Sequence, residues 1–136
     1  MKKIYIDTNI FFDIILDRDL KNISIKKLEK YLEKSCIYMS VLSIHIIYYV
    51  LKIKPNTQTH EKIKKLIKLI NIVPLTTSIT IKSIEKFTVD FEDTLQYYSA
   101  LDNNCNYILT RDKKDFAKIK KNIPSKIQII SSLRNI

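Results

Sequence analysis

Apolar positions along this chain switch repeatedly between the two-residue period of a strand and the three-to-four-residue period of a helix. Lys2 to Asp7 reads as a strand carrying Ile4, Tyr5 and Ile6, and it stops at Asp7-Thr8-Asn9, which are turn and helix-capping types. Residues 10–17 and 24–35 have helical spacing, the second through Ile25, Leu28 and Leu32 with Tyr31 beside them. Ile37 to Val41 predicts a short strand. From Leu42 to Ile53 two rows, Ile44/Ile47/Tyr48/Leu51 and Ile46/Tyr49/Val50/Ile53, both follow i, i+3, i+4, i+7, which predicts a helix that is apolar nearly all round and therefore buried. Lys54-Pro55-Asn56 ends it, and Gln58 to Ile70 predicts a basic amphipathic helix on Ile63, Leu66, Ile67 and Ile70.

The second half repeats the alternation. Asn71 to Leu75 predicts a strand, residues 78–87 a helix, and Phe91 to Asn104 a further helix with Asp90 placed to cap it and Asp93 at its third position. Tyr107 to Thr110 is a short apolar strand, followed by the polar turn Arg111-Asp112-Lys113-Lys114-Asp115-Phe116 entering a short helix, and Ile127 to Ile130 predicts a last strand. Short continuous apolar strands alternating with helices predict an α/β fold whose parallel sheet is covered on both faces. Ligands of such sheets bind beyond the carboxyl ends of the strands.

Composition narrows the picture. With 136 residues and 46% apolar content the chain fits one domain spanning residues 1–136. Zero glycine excludes Gly-rich phosphate loops. Met1-Lys2-Lys3 before an apolar run resembles a signal peptide, but Asp7 and Asp13 interrupt the run and no small-residue cleavage site follows. No stretch has the length of a membrane span, so a cytoplasmic protein without a membrane partner is expected. Cys36 and Cys105 have neither metal-ligand spacing nor the numbers for a disulfide framework, and both are expected as packing residues. His60 precedes a basic helix and receives no role. The formal charge of +10 favours polyanionic partners, although a solvated surface accounts for most lysines.

The acids carry the functional signal. Asp7 follows the first strand, Asp90 and Asp93 open a helix, and Asp112 and Asp115 follow a later strand, all positions that this architecture gathers at one end of the sheet. Such an oxygen-rich group suits Mg²⁺ or Mn²⁺. Asp90, Asp93, Asp112 and Asp115 each also have a plain reading as helix-terminal acids. Asp7 does not, because a carboxylate directly after a central strand is partly buried and requires a partner.

Three stretches, Ile4-Tyr5-Ile6-Asp7-Thr8-Asn9-Ile10, Asp90-Phe91-Glu92-Asp93-Thr94-Leu95-Gln96-Tyr97 and Tyr107-Ile108-Leu109-Thr110-Arg111-Asp112-Lys113-Lys114-Asp115-Phe116, resemble in order and spacing the principal motifs of PIN domains, in particular the branch of VapC-like toxins. The resemblance covers essentially the whole chain. It implies a three-layer α/β/α fold with a central, mainly parallel sheet, and a Mg²⁺- or Mn²⁺-dependent endoribonuclease, often a toxin held by a separately encoded antitoxin and often a homodimer. It further implies that Asp7, Asp93 and Asp112 are the metal ligands and catalytic acids. By the same resemblance Asp115 would replace or support Asp112, and Thr8, Asn9 and Thr110 would line the site. The mechanism expected on that basis has Asp115 or Asp90 completing the charge, with Lys113 and Lys114 near the scissile phosphate of the RNA.

The chain departs from the family pattern at one position. PIN domains usually carry a glutamate on the helix after the second strand, yet no carboxylate occurs from residue 34 to residue 60. Aligning Tyr48-Tyr49 with the branch's aromatic pair puts Ile46 at that position with His45 beside it, and His45 would take its direction only if the helix were rotated. A second function is therefore open, a PIN-like module that has lost catalysis and binds RNA or protein. A phosphotransferase with Asp7 as nucleophile is disfavoured, because Asn9 stands where a second acid would be wanted. Tyr31, Tyr48 and Tyr49 are expected in the core or at a dimer face.

Overall fold

The alternation through Ile4, Tyr5 and Ile6 organises the molecule. In the computed structural model, which describes residues 1–18 and 25–136, strand β1 (Lys2–Ile6) buries Ile4 and Ile6 on one face of the sheet and Tyr5 on the other. Four strands join it: β2 (Ser35–Ser40), β3 (Asn71–Val73), β4 (Tyr107–Leu109) and β5 (Gln128–Ile130). Their order is β3-β2-β1-β4-β5 and every pairing is parallel. Between them run α1 (Thr8–Leu16), α2 (Ile25–Leu32), α3 (Val41–Leu51), α4 (Gln58–Leu66), α5 (Thr77–Lys86), α6 (Phe91–Asp102) and α7 (Lys113–Asn122).

Ile4, Ile6, Ile37, Met39 and Leu109 pack against Ile10, Phe11 and Ile14 of α1, Leu28 of α2, Ile47 of α3 and Leu66 of α4. On the other face Tyr5 and Ile108 meet Tyr97 and Ala100 of α6 and Phe116 and Ile119 of α7. The result is the expected three-layer α/β/α arrangement. The chain leaves β1 toward β2 and β3, then crosses back to place β4 on β1's other side. The crevice opened by that reversal lies between the carboxyl ends of β1 and β4, which is where Asp7 and Thr110 emerge.

Most element boundaries fall close to those expected, but α4 ends at Leu66 and not at Ile70, which leaves Ile67 39% exposed, and α2 ends at Leu32, so that Ser35 opens β2; the strand from Asn71 ends at Val73, ahead of Pro74, which has no N–H for a ladder. The expected start of the second helix at residue 24 lies outside the described residues. A further expectation is overturned. Helix α3 is not buried all round: Tyr49 is 85% and Val50 56% exposed. The row Ile44/Ile47/Tyr48/Leu51 packs on the core, whereas in the other row Tyr49 and Val50 face outward, because only one side of α3 meets another layer. Tyr31 and Tyr48 accordingly join the core and Tyr49 does not. His60 serves structure, its Nδ1 lying 2.6 Å from the Tyr48 hydroxyl across α3 and α4. Cys105 is buried and Cys36 half-buried, as packing residues would be. No helix among the described residues is long and apolar enough to cross a membrane.

Candidate active site

Asp7 ends β1 and caps α1. Its carboxylate is 2% exposed and accepts hydrogen bonds from the Thr8 N–H at 2.7 Å and the Thr110 hydroxyl at 2.8 Å. Asp93 stands at the third position of α6, its own N–H donating to the capping Asp90 Oδ1 at 2.9 Å. Asp112 follows β4, where its N–H donates to the Thr110 hydroxyl at 2.9 Å and its Oδ2 accepts from Asn9 Nδ2 at 3.1 Å. One carboxylate oxygen from each of Asp7, Asp93 and Asp112 lies within 4.8 Å of the others. Thr8, Asn9, Phe12, Arg18, Ile46 and Glu92 complete the cleft.

Like charges held this close raise one another's proton affinity. Burial, then the charges of Glu92 and Asp112, push Asp7 up to about 7 against the pull of the Thr110 and Thr8 hydrogen bonds. Burial and the charges of Asp7, Asp90, Glu92 and Asp112 push Asp93 up to about 8. Three hard oxygen donors at mutual spacings that one ion spans fit a small divalent cation.

The structure brings together Asp7, Asp93 and Asp112 with Thr8, Asn9 and Thr110. Asp90 acts as the α6 cap and Asp115 sits in the first turn of α7, both outside the group of three. Lys113 and Lys114 are exposed at the start of α7 and do not line the cleft. Ile46 does line it and His45, exposed, does not, so no helix rotation substitutes histidine for the absent carboxylate.

Glu92 is a cleft residue that sequence reasoning left unassigned, since an acid in the first turn of a helix reads as a partner of the helix dipole. Behind the acids lies a second unassigned feature. Gln96 accepts from the buried Tyr5 hydroxyl through Oε1, while its Nε2 donates to Thr8 Oγ1 at 2.9 Å and Ser43 Oγ at 3.4 Å. This network joins β1, α1, α3 and α6 directly beneath the cleft. Gln96→Leu removes the acceptor of the buried Tyr5 hydroxyl, while the Thr8 and Ser43 hydroxyls keep each other at 2.8 Å, and is expected to lower stability by about 1–3 kcal/mol in urea unfolding; an unchanged midpoint would show that the network contributes nothing to the fold.

The PIN domain model matches residues 4–122. Ribonuclease VapC1 of Aquifex aeolicus (strain VF5) is 29% identical over 123 residues, 85% of each chain. Among solved structures, VapBC2 from Rickettsia felis bound to a DNA fragment from their promoter superposes with a TM-score of 0.71 at 19% identity, covering 94% of this chain and 97% of that one. A toxin-antitoxin complex from Klebsiella pneumoniae gives 0.60 at 19% identity, covering 93% and 95%.

Proposed function

This chain belongs to the PIN domain family, and we propose that it is a Mg²⁺- or Mn²⁺-dependent endoribonuclease acting as the toxin of a toxin-antitoxin pair. The observation that carries the reading is the convergence of Asp7, Asp93 and Asp112 within 4.8 Å at the sheet's topological switch point, in a chain of charge +10. Those three would hold the ion. Once bound, it would supply charge neutralisation for the phosphodiester and acidify a nearby water.

The protein's own groups do the remainder. Thr8 and Thr110 fix the Asp7 carboxylate, and Asn9 holds Asp112 by Oδ2, so the donors are positioned before substrate arrives. Hydrolysis adds water across one P–O bond, so a proton must leave the water while another reaches the departing oxygen. Glu92, half-buried in the cleft wall, is the carboxylate left over to accept the first. RNA is then the substrate and the cytoplasm the compartment. An antitoxin protein is the partner, in line with relatives described as VapBC and as a toxin-antitoxin complex.

Incubation of the purified protein with total RNA in Mn²⁺, beside an EDTA lane, tests this. Discrete products confined to the Mn²⁺ lane are expected; products that persist in EDTA would remove metal from the mechanism. Ile46, at the place of the usual glutamate and in the cleft, favours a second reading, a catalytically impaired module that binds RNA or protein. That reading predicts binding that survives EDTA and no cleavage with any divalent ion.

A further inference from the structure

Basic residues here are nearly all lysine: Arg18, Arg111 and Arg134 are the only arginines among 24 Lys and Arg residues. Two of the three meet at one buried carboxylate beside the acid cleft. Asp13, one turn beyond Asn9 on α1 and 2% exposed, faces Arg111 Nε at 3.0 Å and Arg18 Nε at 3.4 Å. Arg18 also lies over the Phe12 ring, its Cζ 5.6 Å from the centroid, and both side chains line the cleft that holds Asp7, Asp93 and Asp112. Arg111 connects to the same cleft through its backbone N–H, which donates at 3.3 Å to Asn9 Oδ1, the residue that holds Asp112.

One buried carboxylate is balanced by one cation, and here there are two. Both arginine side chains remain about half exposed, at 48% and 47%. Two guanidinium forks carry about ten N–H donors against about four acceptor positions on a single carboxylate. Lysine would meet the charge of Asp13 as well; what the fork adds is planar, two-point recognition of phosphate. We propose that Arg18 and Arg111, braced on Asp13, form a phosphate clamp that grips the backbone of single-stranded RNA beside the acid cleft, with Asp13 as a positioning residue. The clamp rests on the RNA reading of the cleft. It places a cationic pair next to the acids, so that a strand held by one phosphate presents its neighbour to the ion site.

The test is fluorescence anisotropy of a labelled mixed-sequence RNA octanucleotide in EDTA, over a salt series, with wild type, Arg18→Gln, Arg111→Gln and the exposed control Lys121→Gln. Each arginine variant is expected to bind about tenfold more weakly and to flatten the slope of log affinity against log salt by about 0.7, the single-strand value per phosphate contact. The control should change affinity less than twofold. Arg18→Lys and Arg111→Lys keep the charge Asp13 requires and should melt within a few degrees of wild type, yet still lose several-fold in affinity because the fork is gone. Arginine variants that bind no worse than Lys121→Gln, or Lys variants that bind like wild type, would overturn the clamp, as would a wild type with no affinity for the octanucleotide. Clamp-dependent binding without Mn²⁺-dependent cleavage would support the clamp and remove the nuclease reading; cleavage with unaffected arginine variants would do the reverse.

Discussion

Asp93→Asn is expected to lower Mn²⁺-dependent RNA cleavage by about a hundredfold or more while making the metal-free protein more stable above pH 8. Both effects have one origin. Burial and the neighbouring charges of Asp7, Asp90, Glu92 and Asp112 hold the Asp93 carboxyl up at about 8, far above the 3.8 of an unfolded chain. A carboxyl raised in this way keeps its proton in the folded state when the unfolded chain has lost it, so stability falls as pH rises from about 4 and the full penalty is present above about 8. Asp7, pushed up to about 7, acts in the same direction. Asparagine cannot ionise. Thermal melts in EDTA should therefore show Asp93→Asn about 5 °C or more above wild type at pH 8.5, with the gap narrowing as pH falls and closing near pH 4. With millimolar Mn²⁺ the order should reverse, because wild type gains stability by linkage and the variant loses a ligand. Equal Mn²⁺ shifts in both proteins would place the ion elsewhere, and a metal-free variant no more stable at high pH would refute the crowding of charge.

How much of this was legible beforehand depends on the kind of contact involved. The sheet, its parallel sense and the placing of Asp7, Asp93 and Asp112 at one end followed from local patterns, since strand and helix periods are written in neighbouring residues and β–α alternation forces strand ends to one side. The capping role of Asp90 was legible for the same reason, its side chain reaching only to Asp93 N–H. The exposure of Tyr49 and Val50 was not, because a row of apolar residues declares what a helix could bury and says nothing of which layer covers it. Nor was the Tyr5–Gln96–Thr8–Ser43 network or the Asp13–Arg18–Arg111 cluster, whose members lie on separate elements and share no period. Glu92 stood next to Asp93 in the sequence, and only the facing of α6 toward the cleft distinguishes it from an ordinary first-turn acid.

Ile46→Glu is expected to have the opposite signature to Asp93→Asn. Ile46 already lines the cleft with Asp7, Asp93 and Asp112, so a carboxylate at that position on α3 adds a donor from the side of the cleft that now has none. Without metal, another negative charge among acids that already hold their protons up must destabilise the fold, and the loss should grow between pH 6 and pH 8.5. With Mn²⁺ the added ligand should strengthen ion binding about tenfold, which corresponds to about 1.4 kcal/mol of extra stabilisation at saturating metal. Calorimetric titration of Mn²⁺ into both proteins measures the first quantity and melts at matched metal the second. Unchanged Mn²⁺ affinity would mean that residue 46 faces the cleft without facing the ion. Cleavage assays on the same pair separate the two functional readings. If wild type and Ile46→Glu both cut RNA, three aspartates suffice and the isoleucine only tunes affinity. If Ile46→Glu alone cuts, the native chain is a PIN fold whose catalysis was lost at this one position, and its basic surface and arginine pair serve binding rather than turnover.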